Sequence, residues 1–427
     1  RVLLPKIKDK PAFDGIILMN EPEYNSTENK KFFLPLFQNY VKEKYGSIDA
    51  LNAKWGTNYA SFYDVEMAAG IEKTAQSYDW RTFNDEILPG VTKKLADIVR
   101  EYAPNVMMQT KMMQTFAESS VMRADSSNNW ETLADSVDIN CCDGWAYYRN
   151  DEQTIPIQMF FYDYQTSVKD APIYNTEDHV IPDGSSMTFN DNESKHAIAN
   201  LWQGALHGKC GSVIWFWERK DTRALNGGWL HNPNLTERPK DVSNIGKMTL
   251  NLNRLANEVT AVLEKDAEVG VLYTPNSLAY SNGMLNAAFQ TFNALGENGQ
   301  KTQVIVESRI EKLQDMKCLV IPNVVSVTDK TFDEIKKFAE NGGTLIVYGQ
   351  NNLTKNEYGE ERNKSAVDKV LANAAFADVT VVDSVVDTNG KKVIRETITD
   401  YVEKNNMKKT NLIDKDTGKP IEDCEYM

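Results

Sequence analysis

Five strand-length apolar runs, each followed by a longer stretch with helical spacing, constrain this chain more than any other feature. The runs cover 15–19, 106–110, 137–141, 172–176 and 212–216, with helical patterns such as 33–45, 87–102 and 196–207 between them. Runs without a steady in–out alternation belong to a parallel sheet covered by helices on both faces. The expected class is therefore α/β. Five βα units are more than half of a (β/α)8 TIM barrel, and the fourteen residues before the first run are too few for the three missing units.

A second α/β pattern follows. A helix expected around 250–265 bridges to apolar runs at 269–273, 303–306, 317–322 and 343–348, with helices over 285–295 and 331–341. The tight alternation and short loops suit a flavodoxin-like doubly wound sheet. Gly342-Gly343 stops the second of these helices. Neither GxGxxG nor GxxxxGK(S/T) occurs, so nothing supports a nucleotide site there. From Asp378 onward short strands alternate with a charged helix over 391–404. All eight Trp lie at or before Trp229. Flat aromatics suit a sugar-binding cleft, because sugar C–H faces pack on rings, although they also fill large cores. The expected division is a partial-barrel catalytic domain at 1–247, a linking helix at 248–266, a flavodoxin-like domain at 267–407 and the start of a further segment at 408–427.

With 47 Lys+Arg against 61 Asp+Glu the net charge is −14. Such a surface repels phosphate backbones, so no nucleic-acid partner is expected. No apolar run approaches the roughly 18 residues of a membrane span, and no membrane association is expected. Cys141, Cys142, Cys210, Cys318 and Cys424 lack the spacing of a disulfide framework or a zinc site and are expected as reduced thiols. Low cysteine use suits the cytoplasm and also fits a periplasm.

Catalytic side chains of a (β/α)8 barrel stand at the C-terminal ends of its strands. The first run ends in Asn20-Glu21-Pro22-Glu23-Tyr24, and the fourth in Asn175-Thr176-Glu177-Asp178-His179. Glycoside hydrolysis needs such a carboxyl pair, one protonating the leaving oxygen and one opposing it across the sugar ring. A single Glu after a strand is usually an ordinary polar cap. Two of them, with the aromatic strand end Trp215-Phe216-Trp217, point to chemistry.

Asn20-Glu21 after an apolar strand resembles the acid/base signature of clan A glycoside hydrolases, in which the Asn bonds the sugar 2-hydroxyl. Glu177 is similar to that clan's nucleophile at the end of strand seven. A closer resemblance is to glycoside hydrolase family 42, the β-galactosidase group. It is carried by Lys8-Asp-Lys-Pro-Ala12, by Tyr45-Gly-Ser-Ile-Asp-Ala-Leu-Asn52 with Trp55-Gly56, and by His207-Gly-Lys-Cys-Gly211. Residues 267–385 resemble that family's flavodoxin-like trimerisation domain. The resemblance implies that the chain holds barrel strands 4–8, with Glu21 as acid/base and Glu177 as nucleophile. It implies Trp217 as the floor of the sugar site, His231 as a ligand of sugar hydroxyls, and a homotrimer. The family's Trp-Asp-x-Tyr after strand six is here Cys142-Asp143-Gly144-Trp145, so Trp145 or nearby Tyr147 takes the place of the tyrosine that bonds the nucleophile; only Tyr147 has the hydroxyl.

The expected activity is that of a retaining β-glycosidase acting on terminal β-D-galactosides, with no metal and no organic cofactor. The approach to the histidine, Asn226-Gly-Gly-Trp-Leu-His231, lacks the Glu that the family tends to carry. A β-mannosidase or an α-L-arabinopyranosidase therefore stays open, as does a catalytically silent carbohydrate-binding protein. The short start suggests a fragment lacking its first strands; completion of the barrel by another chain is the alternative.

The mechanism sets physical demands. Glu21 must hold a proton near neutral pH, which takes partial burial and a nearby negative charge. Glu177 must stay ionised, which takes hydrogen-bond donors. His179 is expected either to orient Glu177 or to be structural, and Gln109 and Lys111 either face the pocket or lie on a solvated rim. Glu23 and Asp178 are expected to support the pair, and Cys141-Cys142 to fill core. The sequon Asn25-Ser-Thr27 is read as chance, because a glycan there would obstruct the cleft.

Overall fold

The computed structural model describes residues 1–22, 30–68, 72–117, 128–146, 155–180, 191–215, 217, 235–280, 283–382 and 385–407. The chain is α/β with parallel sheets. β1 (Gly15–Asn20), β2 (Met107–Met113), β3 (Asn140–Trp145), β4 (Ile173–His179) and β5 (Lys209–Ile214) form one parallel sheet in chain order. β6 (Val269–Leu272), β7 (Thr302–Ile305), β8 (Cys318–Pro322), β9 (Thr344–Tyr348) and β10 (Ala375–Ala377) form a second parallel sheet, ordered β10-β9-β8-β6-β7, and Val381–Val382 pairs antiparallel with Val385–Val386. Every residue of β6 and β8 is buried. That explains why their sequences are continuously apolar rather than alternating.

The chain divides into two compact units. One comprises Arg1–Glu21, Ala96–Gln114 and Val137–Asp266; the other comprises Pro22–Leu95, Thr115–Ser136 and Ala267–Met427. The long excursion between β1 and β2 thus belongs mostly to the unit that carries the second sheet. It has a core of its own around Phe37, Val41, Leu51, Trp80 and Phe83. Within that unit the Lys54 Nζ lies 2.8 Å from Glu360, and the rings of Tyr78 and Tyr358 meet edge-on at 4.9 Å.

Several expected boundaries move. The third strand starts at Asn140 rather than Val137, although Val137 and Ile139 are buried. Burial there is served by a 3-10 turn at Ala134–Ser136, and pairing begins only where the Asn140 Nδ2 donates to the carbonyls of Lys169 and Ala171. The fifth strand starts at Lys209, three residues early, because Lys209 is buried against an ionic partner and does not break the sheet. The bridging helix is two helices, Pro239–Arg254 and Ala256–Leu263, the first opened by proline in its first turn. The helix expected at 87–102 begins at Ala75 and runs through Pro89 to Tyr102.

Candidate active site

Glu21 and Glu177 meet at one lysine. The Lys111 Nζ, on β2, lies 3.0 Å from the Glu21 Oε1 and donates a hydrogen bond to the Glu177 Oε2. An ammonium touching one oxygen of each carboxylate caps their separation at two hydrogen-bond lengths, about 6 Å. Inverting glycosidases separate their carboxyls by roughly 6.5–9.5 Å and retaining ones by roughly 5–5.5 Å. That cap holds for the two oxygens that touch the ammonium, and it is compatible with a retaining pair.

Irregular backbone delivers both glutamates. Along β1, Ile17 pairs with Gln109 and Asn20 with Lys111, so β1 places one more residue than β2 over that stretch. Along β4, Asn175 pairs with Cys142 and Glu177 with Asp143, so Thr176 is surplus. A surplus residue shifts the pleat and re-aims the side chains after it. Glu21 itself has φ 42°, left-handed backbone that costs a non-glycine residue on the order of 1 kcal/mol. Its amide donates to the Lys111 carbonyl at 2.9 Å, which anchors the kink. On β4 the buried Asn175 does the anchoring: its Oδ1 accepts from the Glu177 amide at 3.2 Å and its Nδ2 donates to the Tyr162 hydroxyl at 2.9 Å.

Hydrogen bonds keep Glu177 ionised. Burial alone would raise Glu177, but hydrogen bonds from His179 and Lys111 outweigh it and hold this carboxyl below its usual range. Burial would lower Lys111, yet its bonds to Glu177 and Glu21 raise it, so the ammonium stays charged. Burial pushes Asp143, beside Glu177 in register, up to about 6 against the opposing pull of His179. The His179 Nε2 lies 3.3 Å from both the Glu177 Oε1 and the Asp143 Oδ1. Its ring sits between two indoles, 6.3 Å from Trp145 and nearly perpendicular, and 5.8 Å from Trp215. Next to it, the fully buried Asp178 accepts from the Lys209 Nζ at 2.5 Å and from the Ser212 Oγ at 2.7 Å.

The structure brings together Glu21, Glu177, His179 and Trp145. Asn20 stands opposite Lys111 in the register of β1 and β2. Trp217 is 55% exposed, while Trp215 is the strand-end indole that faces His179. Tyr147, His231, Glu23 and Asn25 lie outside the described residues. Gln109 and Lys111 are buried rather than on a solvated rim. The signal for Lys111 was present: a lysine inside an apolar strand of a covered sheet must find an acid. Asp143 carried no such signal beyond its place in a motif. Among the described residues, Asp143, Glu177 and His179 are the group whose donor atoms, all within 4.8 Å of one another, are close enough to share a metal ion. The Lys111 ammonium already occupies the other oxygen of Glu177.

Comparison with known proteins places this arrangement. The β-galactosidase family model of glycoside hydrolase family 42 matches residues 3–221. A β-galactosidase (LacZ) of Heyndrickxia coagulans is 25% identical over 336 residues, covering 72% of this chain and 47% of that protein. The GalA β-galactosidase of Bacillus licheniformis is 25% identical over 345 residues, covering 73% and 49%. Among solved structures, an exo-carrageenase of family 42 from Bacteroides ovatus matches with a TM-score of 0.69 and 18% identity, over 91% of this chain and 54% of that one. The chain spans about half the length of the curated relatives it matches. It belongs to glycoside hydrolase family 42, a family of TIM-barrel glycoside hydrolases.

Proposed function

We propose that this chain carries the catalytic pair of a retaining β-glycosidase that hydrolyses terminal β-D-galactosides by double displacement. The observation that supports the reading is the Lys111 ammonium in contact with both Glu21 and Glu177, which gathers the two carboxyls at one point of the sheet. The names of the relatives supply the sugar. Glu177 attacks the anomeric carbon while Glu21 protonates the glycosidic oxygen; Glu21 then takes a proton from the incoming water. Asn20, Trp145 and Trp217 line the sugar site in this reading, with Tyr147 and His231 joining them.

The five strands of the first sheet are read as barrel strands 4–8. The second sheet, ordered 2-1-3-4-5 in its own chain sequence, supports the flavodoxin-like reading of 267–407. That domain is proposed to close a homotrimer, since cyclic closure buries helix faces without open-ended growth. Among the described residues, no helix is long and apolar enough to cross a membrane. A second reading, the same chemistry on another sugar, is favoured by the missing Glu before His231 and by the exo-carrageenase among the structural neighbours. A panel of aryl glycosides decides between them. Fastest turnover of the β-galactoside is expected; strong turnover of another glycoside beside a slow β-galactoside would reject the proposed substrate. Absence of any hydrolysis beside retained sugar binding would reject the enzyme.

A further inference from the structure

We propose that His179 is the positioning residue of the nucleophile: with Asp143 beside it and Trp145 and Trp215 against its ring, it holds the oxygen of Glu177 that does not attack. The inference rests on the two-glutamate reading above. Its starting point is an asymmetry between the two oxygens of Glu177. Oε2 faces Glu21 through the Lys111 ammonium, and the reacting centre of a substrate has to sit between those same two acids. Oε1 does not share that ammonium and instead faces the His179 Nε2 at 3.3 Å. Oε2 is therefore the attacking oxygen and Oε1 the spectator.

The spectator oxygen needs a donor throughout. In the first step a bond forms from the Glu177 Oε2 to the anomeric carbon as the bond to the leaving oxygen breaks, and that oxygen takes the proton of Glu21. In the second, water attacks the anomeric carbon, its proton passes to Glu21, and the electron pair of the ester bond returns to the Glu177 Oε2. Oε1 changes from carboxylate to ester carbonyl and back, and accepts a hydrogen bond in every state. The 3.3 Å separation is long for a charge-assisted bond, and catalytic hydrogen bonds tighten when substrate binds.

The surroundings suit a fixed donor rather than a filler. The His179 side chain is buried and its ring is set by two indoles, which leaves it little rotational freedom. Its Nε2 also lies 3.3 Å from the Asp143 Oδ1, so two carboxylates favour a proton on that nitrogen. Among the described residues, the charged groups of this part of the sheet are Glu177 and Asp178 on the strand of His179, Asp143 on β3, Lys111 on β2, Glu21 after β1, and Lys209 on β5. Lys209 neutralises Asp178. Lys111 contacts both Glu21 and Glu177, and Asp143 and Glu177 are the carboxylates that reach the ring nitrogen.

The test uses the whole protein and two readouts. NMR titration of its four histidines, with His179 assigned through His179→Gln, should show the His179 pKa falling by about one unit or more in Asp143→Asn and in Glu177→Gln. His179→Gln should lower kcat roughly 100-fold with KM changed less than about threefold, the mark of misplaced reacting atoms rather than lost binding. A His179 titration unmoved by Glu177→Gln, or a His179→Gln enzyme with kcat within about threefold of the parent, would overturn the proposal. If His179→Gln does not fold, His179 is assigned by substituting the other three histidines one at a time, and the titration in the two carboxylate variants decides. An intact coupling in a protein that hydrolyses no glycoside would sink the glycosidase reading instead.

Discussion

Replacing Lys111 by Met tests the electrostatic core of the site. The side chain keeps its apolar bulk and loses the ammonium that contacts Glu21 and Glu177. The ammonium's attraction for the Glu177 carboxylate at hydrogen-bond distance, ~3 Å, is about 5 kcal/mol at an effective dielectric of 20, less the cost of desolvating the pair. Solvent reaches 29% of the Glu21 side chain and 15% of Glu177, which trims the effect to about one to two pH units. The sign follows from the nucleophile. Lys111 favours the ionised Glu177, so without it the carboxyl protonates at higher pH and is inactive over a wider acid range. The acid limb of kcat/KM, which reports the free enzyme, should move up by about one to two units, with activity recovering above it. A limb that stays in place or moves down refutes the reasoning. A uniform loss at every pH would instead assign Lys111 to substrate binding.

Three further outcomes follow from neighbouring residues. Asp143 is raised in the folded state to about 6, so its protonated form favours folding below the unfolded value near ~4, and that contribution is lost as pH rises through about 6. Asp143→Asn should therefore be more stable than the parent at pH 8 by about 1–3 kcal/mol and no more stable at pH 4; equal urea midpoints at pH 8 would contradict this. Asp178→Ala strands the buried Lys209 and should cost about 3–5 kcal/mol in urea unfolding, most of it restored by adding Lys209→Met; a loss under ~1 kcal/mol would show the pair is not buried as described. Asn175→Ala releases the backbone before Glu177 and should lower kcat by about tenfold or more at near-constant KM, whereas a change confined to KM would count against the anchoring role.

The strands were legible, apart from the short and partly exposed β10, because buried parallel strands are written as apolar runs, and β2, β4, β6 and β8 fall within three residues of where the sequence puts them. Glu21 and Glu177 were legible for the same reason, as polar residues where such runs stop. What brings them together was not. The surplus residue before each glutamate is a pairing defect between strands, and a single strand's sequence carries no record of its partner's register. The eight tryptophans were ambiguous in composition and have divided roles: Trp80 and Trp130 are core, while Trp145 and Trp215 flank His179. Lys111 reads from its neighbours alone either as pocket-facing or as a rim residue, and its partners are not legible because they lie 90 residues earlier and 66 later.

The most direct test of the two-glutamate account is to find where a covalent sugar lodges. Incubating the protein with a 2-deoxy-2-fluoro-β-galactoside that carries a good leaving group should inactivate it with time and add one fluorosugar per chain. Peptide mass spectrometry should then place that sugar on Glu177. A sugar found on any other residue would contradict the account, as would hydrolysis that inverts the anomeric configuration without an adduct.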